Sequence, residues 1–251
     1  SNSNLDINTF INQPNNILGI EYIKALMRFN SKINPVPLKR LGAGYHSLDT
    51  RTKLASATGI RTAMANKDNI SGLLPDNCLN IIKNHTTIEY NDFSTVLGSK
   101  LLSMDTLDHI EGINQDLSNR IANNKYNFTD IETFMPMLQS KNYTYSAISR
   151  ALLHIILDIK TDGLKEFISN NYVNYAMILG FNKNTGVLSE ISKSTKIPLV
   201  SKFATFYKEA DNNQRKMLDI NLKADNLYRM IYMNKTSETL PTEFQRQIII
   251  K

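Results

Sequence analysis

A regular apolar spacing in the middle of the sequence restricts that part of the chain to helices. Apolar side chains recur there at the i, i+3, i+4 interval, which puts them on one face of a helix. The pattern predicts helices over residues 93–103, 106–124, 129–139, 144–159 and 162–170. Residues 224–231 are also predicted as helix, whereas residues 187–191 and 197–200 are predicted as short strands. We therefore expect residues 76–251 to form a mostly helical domain.

The first 75 residues have a different pattern, which indicates α/β structure. Residues 17–29 predict a helix with Asn16 as its N-cap, and residues 56–65 predict a second helix. The prolines between them favour a short strand over residues 37–41. A segment of this size is too small for a complete doubly wound sheet, which needs several βα units. The expected fold is mainly α, with a partial α/β piece at residues 1–75 in front of the helical domain.

Charge is distributed unevenly along the chain. Residues 1–75 carry nine Lys or Arg against four Asp or Glu, and residues 183–251 carry twelve against seven. Between them, residues 76–182 carry eight basic against twelve acidic residues. Two basic regions that flank an acidic middle favour the binding of a polyanion such as RNA, or of a phosphate-bearing ligand. The alternative is that an AT-rich coding sequence supplies many lysines and asparagines without any functional reason.

Cysteine usage and hydropathy exclude several classes of protein. Cys78 is the single cysteine, so it has no partner within the chain for a disulfide, and a cysteine-based zinc site is excluded. This usage fits the reducing cytoplasm. The longest apolar stretch, residues 151–157, is far shorter than the roughly 20 residues that a membrane helix needs. We therefore expect a cytoplasmic protein without a membrane partner.

The strongest local motif is Ser56-Ala-Thr-Gly-Ile-Arg61, which opens a predicted helix capped by Ser56 or Thr58. A helix start presents unpaired backbone N–H groups and a partial positive charge, and both favour a bound phosphate. The two hydroxyl groups add donors, and Arg61 lies about one turn further on, within reach of the same anion. The alternative is an ordinary capped helix whose arginine points into water.

Two further segments in the first 75 residues have the chemistry of a nucleotide site. In Pro14-Asn-Asn-Ile-Leu-Gly19, one asparagine caps the predicted helix, and the other offers an amide to an adenine edge or to ribose hydroxyls. Arg40 precedes a glycine-bearing loop, so that its guanidinium would clamp a phosphate or stack on a base. The alternative for the asparagines is a pair of routine turn residues.

A third segment, between residues 141 and 150, combines aromatic and basic side chains in front of an apolar helix. Tyr143 and Tyr145 would stack on bases, while Lys141 and Arg150 would contact phosphates. A helix-entry turn with packed tyrosines explains the same pattern equally well.

Acidic and histidine residues further along do not establish a metal site. Asp105, Asp108 and His109 would share a face of the helix predicted over residues 106–124, but a solvated acidic stripe is the favoured interpretation. His154 lies inside an apolar run and is predicted to be a core histidine with its hydrogen bonds satisfied. No metal ligand and no catalytic residue is therefore assigned.

Taken in order, several short motifs resemble the tRNA(Met) cytidine acetate ligases, over nearly the whole chain. The motifs are Pro14-Asn-Asn-Ile-Leu-Gly-Ile-Glu-Tyr22, Arg40-Leu-Gly-Ala-Gly-Tyr-His46, Ala55-Ser-Ala-Thr-Gly-Ile-Arg61, Glu111-Gly-Ile, Lys141-Asn-Tyr-Thr-Tyr, Leu179-Gly-Phe-Asn-Lys183, Ile197-Pro-Leu-Val-Ser-Lys202 and Asp219-Ile-Asn-Leu-Lys-Ala224. More broadly, Ser56-Ala-Thr-Gly-Ile-Arg61 is similar to the second motif of nucleotidyltransferases that pair it with an upstream His-x-Gly-His.

This resemblance implies an enzyme that activates acetate with ATP as acetyl-adenylate and acetylates the wobble cytidine of elongator tRNA(Met). It implies that residues 1–75 are the C-terminal part of a Rossmann-like, nucleotidyltransferase-like domain that binds ATP, with Mg²⁺ arriving on the triphosphate. It also implies a helical tRNA platform over residues 76–251. The implied ATP-binding residues are Asn15, Asn16, Arg40, Ser56, Thr58 and Arg61. The implied tRNA-binding residues are Lys141, Tyr143, Tyr145, Arg150, Lys196 and Lys202.

One departure from the family pattern stands out, since no His-x-Gly-His occurs in the sequence. We therefore expect this chain to be the C-terminal part of a longer ligase and to be inactive by itself. Two alternatives remain. The chain is a non-catalytic RNA-binding module, or it is a nucleotidyltransferase that acts on a different acceptor.

Overall fold

A computed structural model describes residues 11–38 and 55–251 of the protein. The predictions for Arg40, for the glycine-bearing loop after it and for most of the strand at residues 37–41 lie outside the described residues. The chain divides into two compact units, of which the first ends at His85 and the second is Thr86–Lys251. The predicted boundary at residue 75 lies earlier, in front of a helix that belongs to the first unit.

The described part of the first unit contains three α-helices joined by irregular segments and turns. They are α1 (Pro14–Arg28), α2 (Ala57–Ala65) and α3 (Asp76–Asn84). Helix α1 has Gln13 as its N-cap and Pro14 in its first turn, so the prediction of Asn16 as N-cap is wrong. Proline is tolerated at this position because its missing N–H would have no helical acceptor. Residues 31–38 form neither helix nor strand, and the described residues of this unit contain no strand.

The second unit is mainly helical, with four strands of two residues each. Its helices are the 3₁₀ turn Tyr90–Phe93, α4 (Ser94–Ser103), α5 (Gln115–Asn124), the 3₁₀ turn Lys125–Asn127, α6 (Ile131–Leu138), α7 (Tyr145–Leu157), α8 (Thr161–Ser169), α9 (Val187–Ser194), α10 (Phe203–Glu209) and α11 (Asn212–Thr236). Its strands are β1 (Ala176–Met177), β2 (Gly180–Phe181), β3 (Leu199–Val200) and β4 (Ile249–Ile250). The strands form two parallel pairs, β1 with β3 and β2 with β4. None of the helices described in the two units is long and apolar enough to cross a membrane.

The principal hydrophobic core of the second unit lies among helices α4 to α7. Leu97, Phe134 and Leu152 are fully buried there, one from each of three helices. The Phe134 ring packs edge-to-face on Phe128, with ring centroids 5.0 Å apart. The Tyr90 hydroxyl donates to the Ser149 carbonyl oxygen at 2.8 Å, which ties the start of the unit to α7. The periodic residues of α4 to α7 thus converge on one core, and the helices predicted at 93–103, 129–139, 144–159 and 162–170 are confirmed.

The helix predicted over residues 106–124 begins much later, at Gln115. Gly112 has φ +81°, a left-handed conformation that interrupts a right-handed helix. The Asn114 side chain then accepts from the Leu117 N–H at 3.0 Å and caps α5. Asp105, Asp108 and His109 consequently do not share a helix face, so the placement of the acidic stripe on a helix is wrong, although all three residues are exposed to solvent as that interpretation expects.

Two predictions near the C-terminus differ from the structure, one in the type of element and the other in the length of a helix. Residues 187–191 belong to a helix rather than a strand, because Val187, Leu188 and Ile191 also have i+3 and i+4 spacing. The helix predicted over residues 224–231 is the middle of the 25-residue α11. Asp211 and Gln214 begin that helix with a reciprocal capping box. The strand at 197–200 is confirmed in its second half, as β3.

Gly180 allows β2 and β4 to approach closely. A Cβ atom at this position would lie 2.8 Å from the Ile249 carbonyl oxygen. We expect Gly180→Ala to weaken the pairing, so that the N–H groups of Ile249 and Lys251 exchange about tenfold faster with deuterium, since a lost hydrogen bond costs about 1 kcal/mol. Gly163→Ala, on α8 where nothing lies within 4 Å, is the control. Unchanged protection at Ile249 would contradict the prediction.

An ion pair joins the two ends of the second unit. The Lys235 ammonium group donates to the Asp92 carboxylate at 2.7 Å, and that carboxylate also accepts from the Glu89 N–H at 2.7 Å. Partial burial raises the pKa of Asp92, but the bonds from Lys235 and Glu89 and the positive charge of Lys235 outweigh it. The net pKa is therefore lowered from its ordinary 3.8.

We expect Lys235→Met to lower the free energy of unfolding by about 1 kcal/mol at pH 7. A carboxylate with a lowered pKa stabilises the folded state above its ordinary pKa, and this stabilisation is lost as the pH falls through the lowered value. The difference between variant and wild type should therefore shrink below about pH 4. Urea titrations at several pH values measure it, with exposed Lys208→Met as the control. A difference that persists at pH 2 would exclude Asp92 as the partner.

Candidate functional site

The start of helix α2 has the geometry of an anion site. Ser56 is the N-cap, and its buried Oγ accepts from the Gly59 N–H at 2.9 Å. The cap prediction is thus confirmed for Ser56, whose oxygen orients the first turn. The N–H groups of Ala57 and Thr58 have no acceptor among the described residues. They point out of the helix start, where its partial positive charge is largest.

Thr58 and Arg61 lie side by side at this helix start. Arg61 is exposed, and its Nη2 donates to Thr58 Oγ1 at 3.4 Å. This long bond to a neutral hydroxyl is weak, so an anion would readily replace it. The structure therefore brings together a hydroxyl, a guanidinium and two backbone N–H groups within one turn of helix.

The predicted asparagines lie in the first turn of α1. Asn15 is exposed and Asn16 is half-buried. The Asn16 N–H donates to the Gln13 carbonyl oxygen at 2.9 Å, as an N-terminal residue of the helix does. Among the described residues, no hydrogen bond joins Asn15 to Thr58 or Arg61. Their contribution to one ATP site therefore stays a prediction.

The aromatic and basic segment before α7 is divided between packing and exposure. The Tyr143 ring packs against the core, and its hydroxyl donates to the Asn114 Oδ1 that caps α5. This is the packed helix-entry turn that the sequence left open. Tyr145 is 57% exposed, and Lys141 and Arg150 are exposed as well, so the contact of these three side chains with RNA stays a prediction.

Lys196 and Lys202 lie on either side of strand β3 and are exposed. A small aromatic cluster fixes the chain beside them. Phe203 is buried, and its ring centroid lies 4.9 Å from that of Phe244. The backbone that carries Lys202 is therefore held by the packing of its neighbour, while the ammonium group stays in solvent.

A cavity of about 640 Å³ opens between α7, α8, residues 172–175 and α11. Arg150 and His154, one turn apart on α7, line it together with Glu111, and apolar side chains of α8 and α11 form much of the wall. The Nδ1–H group of His154 donates to the Glu111 carbonyl oxygen at 2.7 Å. The predicted hydrogen bond is thus confirmed for Nδ1, but His154 is half-buried at the cavity wall rather than a residue of the core.

Tyr175 and Asn221 close another part of this wall. The Asn221 side-chain amide donates to the Tyr175 hydroxyl oxygen. Burial raises the pKa of Tyr175, and this hydrogen bond opposes the rise. The sequence did not indicate these residues or Tyr172, because they come from separate segments that only the fold brings together. Among the described residues, no group of three or more His, Cys, Asp or Glu side chains would hold a metal ion.

Comparison with known proteins identifies the class to which this architecture belongs. The family model described as HIGH Nucleotidyl Transferase matches residues 2–243, and the chain belongs to this family. The relatives that it matches have a more specific name. A tRNA(Met) cytidine acetate ligase of Thermoanaerobacter sp. (strain X514) is 32% identical over 242 residues, which are 93% of this chain and 59% of that protein. The one of Caldanaerobacter subterraneus subsp. tengcongensis is 33% identical over 91% of this chain and 58% of its own length.

Solved structures have a similar fold. A crystal structure of Thermotoga maritima TmcAL in an apo form matches with a TM-score of 0.84 at 23% identity, over 96% of this chain and 61% of that one. A second structure, of TmcAL bound with alpha-thio ATP, matches with a TM-score of 0.83 and covers 60% of that chain. The chain thus spans about three fifths of the length of the relatives it matches. The resemblance to the tRNA(Met) cytidine acetate ligases is confirmed.

Proposed function

We propose that this chain is part of an ATP-dependent ligase that acetylates the wobble cytidine of elongator tRNA(Met). The observation that carries this proposal is an alignment over 93% of the chain, at 32% identity, with a relative named tRNA(Met) cytidine acetate ligase. The motif at α2 supports it independently, since Thr58 and Arg61 lie at a helix start whose N–H groups suit a phosphate. The proposed compartment is the cytoplasm, where tRNA and reduced Cys78 both fit.

ATP would bind with its phosphates at the start of α2. The Ala57 and Thr58 N–H groups would donate to phosphate oxygens, and Arg61 would leave Thr58 to pair with the same group. Asn15, Asn16 and Arg40 are the proposed contacts to the rest of the nucleotide. Mg²⁺ would arrive with the triphosphate and neutralise part of its charge, because this ion is usually bound through substrate phosphates.

The proposed chemistry has two steps. In the first, an acetate oxygen attacks the α-phosphorus, the bond to the bridging oxygen of the β-phosphate breaks, and pyrophosphate leaves with that electron pair. In the second, the N4 amino group of cytidine attacks the acetyl carbonyl carbon, AMP leaves, and the nitrogen loses a proton. Neither step requires an acid or a base among the described residues of α2, whose contribution is to position the phosphates and stabilise their charge.

The second unit would supply the tRNA platform. Residues 183–251 carry twelve basic against seven acidic residues, and Lys196 and Lys202 are exposed within this region. Tyr145 and Arg150 offer an exposed ring and an exposed guanidinium on α7. Contacts of this kind depend on phosphate charge, so tRNA binding should weaken steeply with added salt.

The test is incorporation of labelled acetate into elongator tRNA(Met) by the full-length ligase that contains this chain, with and without ATP. The proposal expects ATP-dependent N4-acetylcytidine at the wobble position and none in a tRNA with uridine there. Salt-sensitive tRNA binding without acetylation would favour the non-catalytic RNA-binding module. ATP binding with indifference to tRNA would favour a nucleotidyltransferase with a different acceptor.

The 251-residue chain alone is proposed to be inactive, because it contains no His-x-Gly-His to hold the phosphates during acetate activation. Acetate-dependent exchange between ATP and pyrophosphate measures this step directly. Exchange by the isolated chain at the rate of the full-length ligase would contradict it.

A further inference from the structure

The cavity of the second unit has no role in the two proposed chemical steps, yet its wall is chemically selective. Its volume of about 640 Å³ lies within the range of ligand sites in proteins. Much of the wall is apolar, with Phe167, Ile220 and Met217 contributed by α8 and α11. A mainly apolar wall with a few polar groups at fixed places suits a planar organic group better than a solvated ion.

An unusual backbone conformation places an aromatic ring at this cavity. Asn171 and Tyr172 have φ values of +65° and +60°, so two successive residues without glycine adopt the left-handed region. This conformation is costly for tyrosine, and such residues cluster at binding sites. The Tyr172 N–H donates to the Phe167 carbonyl oxygen at 2.7 Å, which fixes the turn. Tyr172 remains 53% exposed while it lines the cavity, so its ring is available for stacking.

The charged groups of the wall select the kind of ligand. Arg150 is exposed, and no hydrogen bond or ion pair joins its guanidinium group to any described residue. Glu111 also lines the cavity, so that the two side-chain charges balance. A small anion without an apolar part would therefore gain little binding free energy here. A ligand with an anionic end and a large planar part would bind more favourably, because the anion pairs with Arg150 while the planar part packs on the apolar wall. Glu111 would in addition accept from an exocyclic amino group of such a planar part.

We propose that this cavity binds one nucleoside monophosphate group, with the base stacked on Tyr172 and the phosphate paired with Arg150. Base stacking on an aromatic ring, combined with a phosphate–guanidinium contact, is how unpaired nucleotides are held by proteins. An unpaired nucleotide of an RNA strand and a free mononucleotide share this chemistry. The RNA source rests on the proposed function of the chain, whereas the nucleotide chemistry of the cavity does not.

The test uses the full chain and a single-stranded RNA hexanucleotide with 2-aminopurine at a central position, whose fluorescence falls on stacking. We expect Tyr172→Ala and Arg150→Ala each to weaken binding about tenfold, and Tyr172→Phe to retain it. The matched controls are Tyr126→Ala and Arg120→Ala, both outside the cavity, with circular dichroism to verify folding of every variant.

Competition with AMP and CMP distinguishes the two sources. If AMP or CMP displaces the hexanucleotide at concentrations near the dissociation constant of that mononucleotide, the ligand of the cavity is a free nucleotide. If neither displaces it, the ligand is a nucleotide of an RNA strand. The proposal is overturned if wild type binds none of these probes, or if the cavity variants and the controls bind equally. Equal binding by all variants, together with acetylation by the full-length ligase, would reject the cavity and leave the proposed function intact. Loss of binding in the cavity variants, together with no acetylation by the full-length ligase, would support the cavity and reject the proposed function.

Discussion

Replacing Phe134 by alanine is expected to lower the free energy of unfolding of the second unit by about 3–5 kcal/mol. Phe134 is 0% exposed and lies in the core among α4 to α7, in edge-to-face contact with Phe128. Truncation removes apolar surface from the core and leaves a cavity that the short helix α6 fills only in part. Because Leu97 and Leu152 belong to the same core, helices α4 and α7 would lose packing as well.

Met137→Ala is the matched control, since Met137 lies on the same helix but is 42% exposed. An exposed site of this kind is expected to change the free energy of unfolding by less than about 0.5 kcal/mol. Urea titration followed by circular dichroism compares the two variants with wild type. Equal effects of the two substitutions would show that α6 does not depend on its buried face for stability.

The helices around this core were predictable because one physical cause produces both the sequence pattern and the structure. Burial against a common core requires an apolar residue every three or four positions, and α4, α6 and α7 follow that spacing. Local capping was predictable for the same reason, as Ser56 shows at α2, because the donor and the acceptor lie within one turn.

Failures occurred where a single residue or the fold overrides the pattern. Gly112 interrupts the helix predicted over residues 106–124 by its left-handed backbone, although the apolar spacing continues past it. Val187 and Ile191 have side chains typical of strands, but their spacing is equally helical, and helix α9 forms. The apolar spacing of such a short segment is compatible with both a strand and a helix, so the packing of the whole unit decides which of them forms.

The two candidate sites also differ in how far local sequence predicts them. The phosphate site at α2 consists of neighbours along one helix, so Thr58 and Arg61 were identified together from the sequence. The cavity joins α7, α8 and α11 across about 70 residues, and its wall includes Tyr172 and Asn221, which no local pattern marks. Arg150 was identified for its charge, but its position at a cavity follows only from the fold.

In the full-length ligase, we expect Arg61→Ala to weaken ATP binding roughly 10- to 150-fold, the equivalent of losing a charged hydrogen bond of about 1.5–3 kcal/mol. Arg61 is the cation at the start of α2, and its contact with Thr58 at 3.4 Å is weak enough to be exchanged for a phosphate. Acetate-dependent exchange between ATP and pyrophosphate should fall further, by about 10²–10³-fold, if the guanidinium stabilises charge as pyrophosphate leaves. Equilibrium titration with ATP and the exchange assay separate these two effects.

Arg28→Ala is the matched control, because Arg28 is another arginine of the first unit and lies in the last turn of α1, far in sequence from the motif. Arg61→Lys should recover part of the ATP affinity but less of the exchange rate, since an ammonium group keeps the charge and loses the planar fork of donors. If Arg61→Ala and Arg28→Ala bind ATP equally well, α2 does not hold the phosphates. The exposed guanidinium of Arg61 would then be an ordinary solvated side chain at the start of a capped helix.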